Sequence, residues 1–142
     1  FQDGSEQAGV VCTAFGLGIA IGDYDNDGFL DLYLDNFGPN ILYHNNGDGS
    51  FTQITTGSLV SDYGHTCCAA WCDYDNDGFL DLFVDYEYDE PNALYHNNGN
   101  TNSWLLFKLV GTKSNRAAIG AKVRVKAMIG GTISQKKNRY QK

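Results

Sequence analysis

The first 103 residues of this 142-residue chain contain no lysine and no arginine; all ten basic residues lie between Lys108 and Lys142. All seventeen Asp and Glu lie between Asp3 and Glu90. The acidic part therefore repels polyanions, which excludes nucleic acid as its partner. Long apolar runs are also missing: none approaches the roughly 18 to 20 residues of a membrane span. Phe1 is followed by neither a basic nor an apolar leader segment, and the single methionine is Met128. A processed or excised chain is expected, with a signal peptide upstream in the parent. No segment places apolar residues at helical spacing. Proline is scarce, with only Pro39 and Pro91. With 42% hydrophobic and 13% aromatic residues the chain is nonetheless rich enough in apolar surface to fold.

What is present is a duplication. The nonapeptide DYDNDGFLD runs from Asp23 to Asp31 and again from Asp73 to Asp81. The similarity extends on both sides, pairing Phe15 to Gly22 with His65 to Cys72 and Phe29 to Asp35 with Phe79 to Asp85. After a two-residue insertion, Pro39 to Gly47 pairs with Pro91 to Gly99, so both prolines occupy one repeat position. A fixed period of this size marks a repeated structural unit.

Each loop places carboxylates at relative positions one, three, five and nine, with a glycine at position six. Hard oxygen donors in that density select Ca²⁺ over soft metals, and the glycine permits the turn that brings later donors back to the ion. The expected ligands are the side chains of Asp23, Asp25, Asp27 and Asp31 with the Phe29 carbonyl, and in the second copy Asp73, Asp75, Asp77 and Asp81 with the Phe79 carbonyl. Two Ca²⁺ sites are expected. An EF-hand is excluded, because Leu34 and Val84 stand where it needs a glutamate and no flanking helices are predicted.

Leu30, Leu32 and Leu34 alternate with polar or aromatic residues, as do Leu80, Leu82 and Val84, and period two means strand. The turn residues between such runs predict four strands in the first unit, at 15–21, 29–35, 40–44 and 51–55. The second unit repeats three of them, with 104–110 as the available fourth. Phe1 to Asp3 aligns with Phe51 to Gln53, so the chain is expected to begin on the last strand of an earlier unit. Four-stranded units of this length are propeller blades. The fold class is all-β: four-stranded antiparallel β-propeller blades, a partial propeller of about two blades, plus a C-terminal β module. The missing blades of the parent are expected partners, and without them apolar blade faces stay exposed.

The strings GIAIGDYDNDGFLDLYLDN and GPNILYHNNGDGSFTQIT resemble the FG-GAP or VCBS repeat of integrin α-subunits and many secreted bacterial proteins. The resemblance covers residues 1–103, with a blade fragment at the start and blades around 15–55 and 65–103. It implies that Ca²⁺ is held by the ten positions named above. Residues 104–142 resemble part of the ASPIC/UnbV domain, a basic β module that follows such repeats in secreted proteins. Two strands are expected there, 104–110 and 121–127, with Lys122, Arg124 and Lys126 on one polar face and Arg116 in the connecting loop.

Cys67, Cys68 and Cys72 near His65 lie on a predicted strand whose neighbours point to opposite faces, which disfavours zinc. Cys68 and Cys72 replace Gly18 and Gly22, and small buried thiols are the expectation; with Cys12, four cysteines allow three disulfide pairings. His44 and His96 are repeat-equivalent, which points to a structural position beside a turn rather than to catalysis. Arg116 is a candidate recognition residue, though holding its own loop is the favoured role. The expected function is an extracellular or cell-surface calcium-binding module for adhesion, for binding a protein or glycan, or for structure alone. The alternative is the non-catalytic part of a polysaccharide-lyase-like enzyme, which residues 1–103 can serve only with His or Tyr.

Overall fold

The computed structural model describes residues 1–112, 121–129 and 132–136. It divides into two units, Phe1–Leu105 and Leu106–Lys142. In the first unit, a single helical turn, Ser5–Ala8 (α1), precedes four strands: Gly16–Gly22 (β1), Asp31–Asn36 (β2), Ile41–Asn45 (β3) and Phe51–Ile54 (β4). They form one antiparallel sheet in the order β1-β2-β3-β4. A 3-10 turn at Ser58–Val60 leads to a second antiparallel sheet of Thr66–Cys72 (β5), Asp81–Tyr86 (β6) and Ala93–Tyr95 (β7).

The two sheets repeat one register. Gly22 lies opposite Asp31 and Ile21 opposite Leu32 in the first; Cys72 lies opposite Asp81 and Trp71 opposite Leu82 in the second. Even the irregularity near the start of the inner strand recurs, between Gly16 and Gly18 and between Thr66 and Cys68. The Pro-Asn pair explains part of this fidelity. Asn40 Oδ1 accepts the Asn36 N–H at 2.9 Å and Asn92 Oδ1 accepts the Tyr86 N–H at 3.1 Å, so an asparagine closes the β2–β3 and β6–β7 turns alike.

The sheets share a core in which Ala20, Tyr33, Leu42, Leu82 and Val84 are buried and Ala69 and Trp71 pack against them. Gly22 sets the spacing: a Cβ there would lie 2.8 Å from Trp71 Cδ1 and 2.9 Å from Leu80 Cδ1. The indole of Trp71 in turn stacks on Tyr24 and meets the edge of Tyr33, with centroids 6.1 and 6.2 Å apart. Alternation turns Leu17, Ile19 and Ile21 to the other side of β1, where all three are exposed. The segment joining the sheets is tied down by hydroxyls. Tyr33 Oη donates to the Leu59 carbonyl at 3.0 Å, and Tyr86 and Tyr95 both donate to Asp62 Oδ2. Burial works to raise the Asp62 carboxyl, but those two hydroxyls hold it below the usual range.

Several expectations are corrected. Residues 1–3 form no strand, and the chain instead turns once through α1. The second sheet has three strands, since residues 104–110 join no ladder among the described residues; a segment becomes a strand only through a partner's hydrogen bonds. The thiols are not buried: Cys67, Cys68 and Cys72 are exposed, Cys12 is half-buried, and all four are free. Ala69 and Trp71 take the core side of β5, which leaves Cys68 and Cys72 on its opposite face. In the second unit the pairing is a hairpin of Val125–Ile129 (β8) with Thr132–Lys136 (β9), not 104–110 with 121–127. Lys122 and Arg124 precede β8, and Arg116 lies outside the described residues.

Two variants test this packing. Gly22→Val drives a branched side chain into Trp71 and should cost about 1–3 kcal/mol in urea unfolding, whereas full stability would show that the sheets separate freely. Asp35 is buried on β2, with the Ala69 N–H on its carboxylate and Oδ1 unpartnered, and burial raises its pKa. Its stabilising contribution is full below the unfolded Asp value and lost as pH rises through the higher folded one. Asp35→Asn should therefore flatten the fall in thermal midpoint between acidic and neutral pH; an unchanged slope would contradict the assignment.

Candidate metal centre

The two nonapeptides form the β1–β2 and β5–β6 connections, and each coils around its own carboxylates. Asp23 accepts the N–H groups of Asp27 and Gly28 at 3.0 and 2.9 Å, Asp25 accepts Asp27 N–H at 3.3 Å, and Asp27 accepts Phe29 N–H at 2.8 Å. In the second loop Asp73 accepts Asp77 and Gly78, both at 3.1 Å, Asp75 accepts Asp77 at 3.2 Å, and Asp77 accepts Phe79 at 2.9 Å. Tight coiling requires left-handed backbone at Asn26 (φ 57) and Gly28 (φ 93), and again at Asn76 (φ 62) and Gly78 (φ 92). Asparagine and glycine are the residues that tolerate it.

The ninth position closes the loop onto the sheet. Asp31 is fully buried; its Oδ2 accepts Tyr24 N–H at 3.2 Å and its Oδ1 accepts Asn45 N–H at 2.8 Å. Asp81 does the same with Tyr74 at 3.1 Å and Asn97 at 2.8 Å. One side chain thus joins the loop, the start of the outgoing strand and the end of the third strand.

Carboxylate oxygens of Asp23, Asp25 and Asp27 lie within 4.8 Å of one another, as do those of Asp73, Asp75 and Asp77. Asp25, Asp31 and His44 form a second such group, as do Asp75, Asp81 and His96. In each loop the first three aspartates named from the sequence thus form one group, and the fourth joins only Asp25 or Asp75 and a histidine in another. Phe29 and Phe79 stand at position seven, and their rings lie against Gly47 and Gly99, where a Cβ would come within 2.5 and 2.7 Å. Burial, then the charge of Asp27, raises the Asp25 carboxyl, and burial raises Asp31 against the N–H groups it accepts. Tyr24 is pushed up to about 12 by burial and by the negative charge of Asp25, Asp31 and Asp27. The site is a pocket of negative potential that favours a cation.

Two features escaped the sequence reading. His44 Nδ1 lies 3.3 Å from both Asp25 Oδ2 and Asp31 Oδ1, and His96 Nδ1 lies 3.5 Å from Asp75 Oδ2 and 3.1 Å from Asp81 Oδ1. The β2–β3 register was the available signal: Leu32 pairs with Tyr43, which sets Asp31 across from His44. The loops are also sewn to each other by asparagines. Asn26 Nδ2 donates to the Gly78 carbonyl at 2.9 Å, and Asn97 Nδ2 donates to the Tyr24 and Leu80 carbonyls at 2.7 and 3.0 Å. Asn100 and Asn102 both donate to the Asp25 carbonyl, at 2.6 and 2.9 Å.

Residues 23–84, which contain both loops, match the family model of the FG-GAP-like repeat. The chain is similar to cartilage acidic protein 1 of Homo sapiens, 36% identical over 62 residues, which are 43% of this chain and 9% of that protein. It is similar to cartilage acidic protein 1 of Xenopus tropicalis, 44% identical over 48 residues, which are 33% of this chain and 7% of that protein. The chain thus aligns with less than a tenth of the length of these curated relatives.

Asn97→Ala strips donors from two loop carbonyls and should destabilise the first unit by about 1–3 kcal/mol in urea unfolding. Unaltered unfolding would mean that the bridge between the loops carries no weight.

Proposed function

Because residues 23–84 carry an FG-GAP-like repeat, we propose that this is a calcium-binding, extracellular β-propeller-like module with one Ca²⁺ site in each loop. The observation that carries the reading is the duplicated, internally hydrogen-bonded pair of carboxylate groups that share Asp25 or Asp75, with Asp25 half-buried and Asp31 fully buried. The donor set fits the ion: all four side chains are hard oxygen donors, and the backbone N–H groups orient them. Asp23, Asp25, Asp27, Asp31 and the Phe29 carbonyl would hold the first ion, and Asp73, Asp75, Asp77, Asp81 and the Phe79 carbonyl the second. Bound Ca²⁺ supplies charge neutralisation and a rigid link from loop to strand. At tenfold over the dissociation constant each site would add about 1.4 kcal/mol to folding.

The role is binding or structure rather than catalysis. Residues 1–103 have no lysine or arginine to meet an acidic substrate, and His44 and His96 are engaged with the loop carboxylates. An extracellular protein or glycan is the partner class in this reading, and millimolar external Ca²⁺ suits loops of modest affinity.

Calorimetric titration of the chelator-treated protein should show two Ca²⁺ equivalents, with one lost in Asp25→Ala, one in Asp75→Ala and both in the double variant. Unchanged Ca²⁺ heats in the double variant would refute the ligand assignment.

A further inference from the structure

We propose that His44 and His96 are nitrogen ligands of the same two centres, so that each loop also takes a first-row divalent ion such as Mn²⁺, Co²⁺ or Zn²⁺ in place of Ca²⁺. The inference rests on the metal-site reading above and extends it from an oxygen set to a mixed one. His44 Nδ1 is shut off from solvent and makes no hydrogen bond, although the ring as a whole is 26% exposed. It sits 3.3 Å from one oxygen of Asp25 and 3.3 Å from one oxygen of Asp31. A charge-assisted hydrogen bond would be aligned on one acceptor at about 2.7–2.9 Å. Equal distances to two oxygens, aligned on neither, are instead what ligands of a common ion show: at metal–ligand lengths of about 2.1–2.4 Å, neighbouring donors at right angles stand about 3.0–3.4 Å apart.

The second copy brings the same three groups together, but there His96 Nδ1 hydrogen-bonds Asp81 Oδ1 at 3.1 Å and lies 3.5 Å from Asp75 Oδ2, so an ion would have to replace that bond. In both copies the histidine reaches the loop from the third strand of its sheet or the residue following it, at a place fixed by the pairing of Leu32 with Tyr43 and of Leu82 with Tyr95. Placement therefore comes from the rigid sheet and not from the loop. Imidazole raises affinity for borderline ions relative to Ca²⁺ and Mg²⁺, which prefer oxygen alone. Asp25 and Asp75 belong to both the all-oxygen group and the histidine group of their loops. The two kinds of ion therefore compete for one place in each loop.

The test uses the whole chain, freed of metal by chelator, with Co²⁺ and Zn²⁺ alone as probes. In the protein with its exposed thiols alkylated, Zn²⁺ should shift the Nδ1 nitrogen resonances of His44 and His96. In calorimetry Co²⁺ should bind and be displaced by excess Ca²⁺. The double variant His44→Gln, His96→Gln should lose roughly tenfold or more in Co²⁺ affinity while keeping its Ca²⁺ affinity. Unmoved Nδ1 resonances in the native protein would overturn the proposal, whatever the variant does, and leave the histidines as hydrogen-bond partners of the carboxylates. Failure of Ca²⁺ to bind the native protein would instead sink the calcium reading, and the Zn²⁺ shifts would still decide this one.

Discussion

Two aspartates that see no solvent hold the arrangement together. Asp31 and Asp81 each accept one N–H from inside the nonapeptide and one from the C-terminal end of the third strand of their sheet, Asn45 within β3 and Asn97 just beyond β7. An ionised carboxylate out of water is costly unless it is bonded or neutralised, so this position cannot be satisfied by one segment alone. Loop, outgoing strand and third strand must arrive together. The local order of each loop and the order of its sheet are thereby one problem with one solution, and a bound cation would lower the cost of both.

The same economy governs the contact between the sheets. Gly22 leaves room for Trp71, whose indole then covers Tyr24 on the first loop and Tyr33 in the core. Asn26 of the first loop bonds a carbonyl of the second, and Asn97, just beyond β7, bonds a carbonyl of the first. Apolar packing fixes the distance between the sheets, and amide hydrogen bonds fix the register of their ends. Neither alone would bring two highly acidic loops side by side, since their charges oppose it.

Much of this was legible in the sequence because its signals are local. Period-two runs predicted a strand at 29–35 and its repeat at 79–85, found at 31–36 and 81–86, and the Pro-Asn pairs marked the turns after them. The grouping of Asp23, Asp25 and Asp27 follows from spacing within one loop. What stayed hidden depends on partners distant in the chain. His44 meets Asp31 only once the register of β2 and β3 is known, and Asn97 reaches Tyr24 across 73 positions. Cys68 and Cys72 were assigned to the interior by analogy with glycines, but burial belongs to the covered face of a strand and not to a repeat position. Residues 104–110 have the composition of a strand without the ladder that makes one.

The bridge from Asn26 to the Gly78 carbonyl bears on how such a chain can lengthen. Asn76 and Gly28 occupy the same loop positions as that donor and that acceptor, with matching left-handed backbones. Every unit thus carries both halves of the clasp, the amide for its successor and the carbonyl for its predecessor. A segment copied in tandem inherits this hydrogen bond ready-made, and only the apolar contact that Trp71 supplies has no counterpart in the first unit, where Ile21 stands in its place.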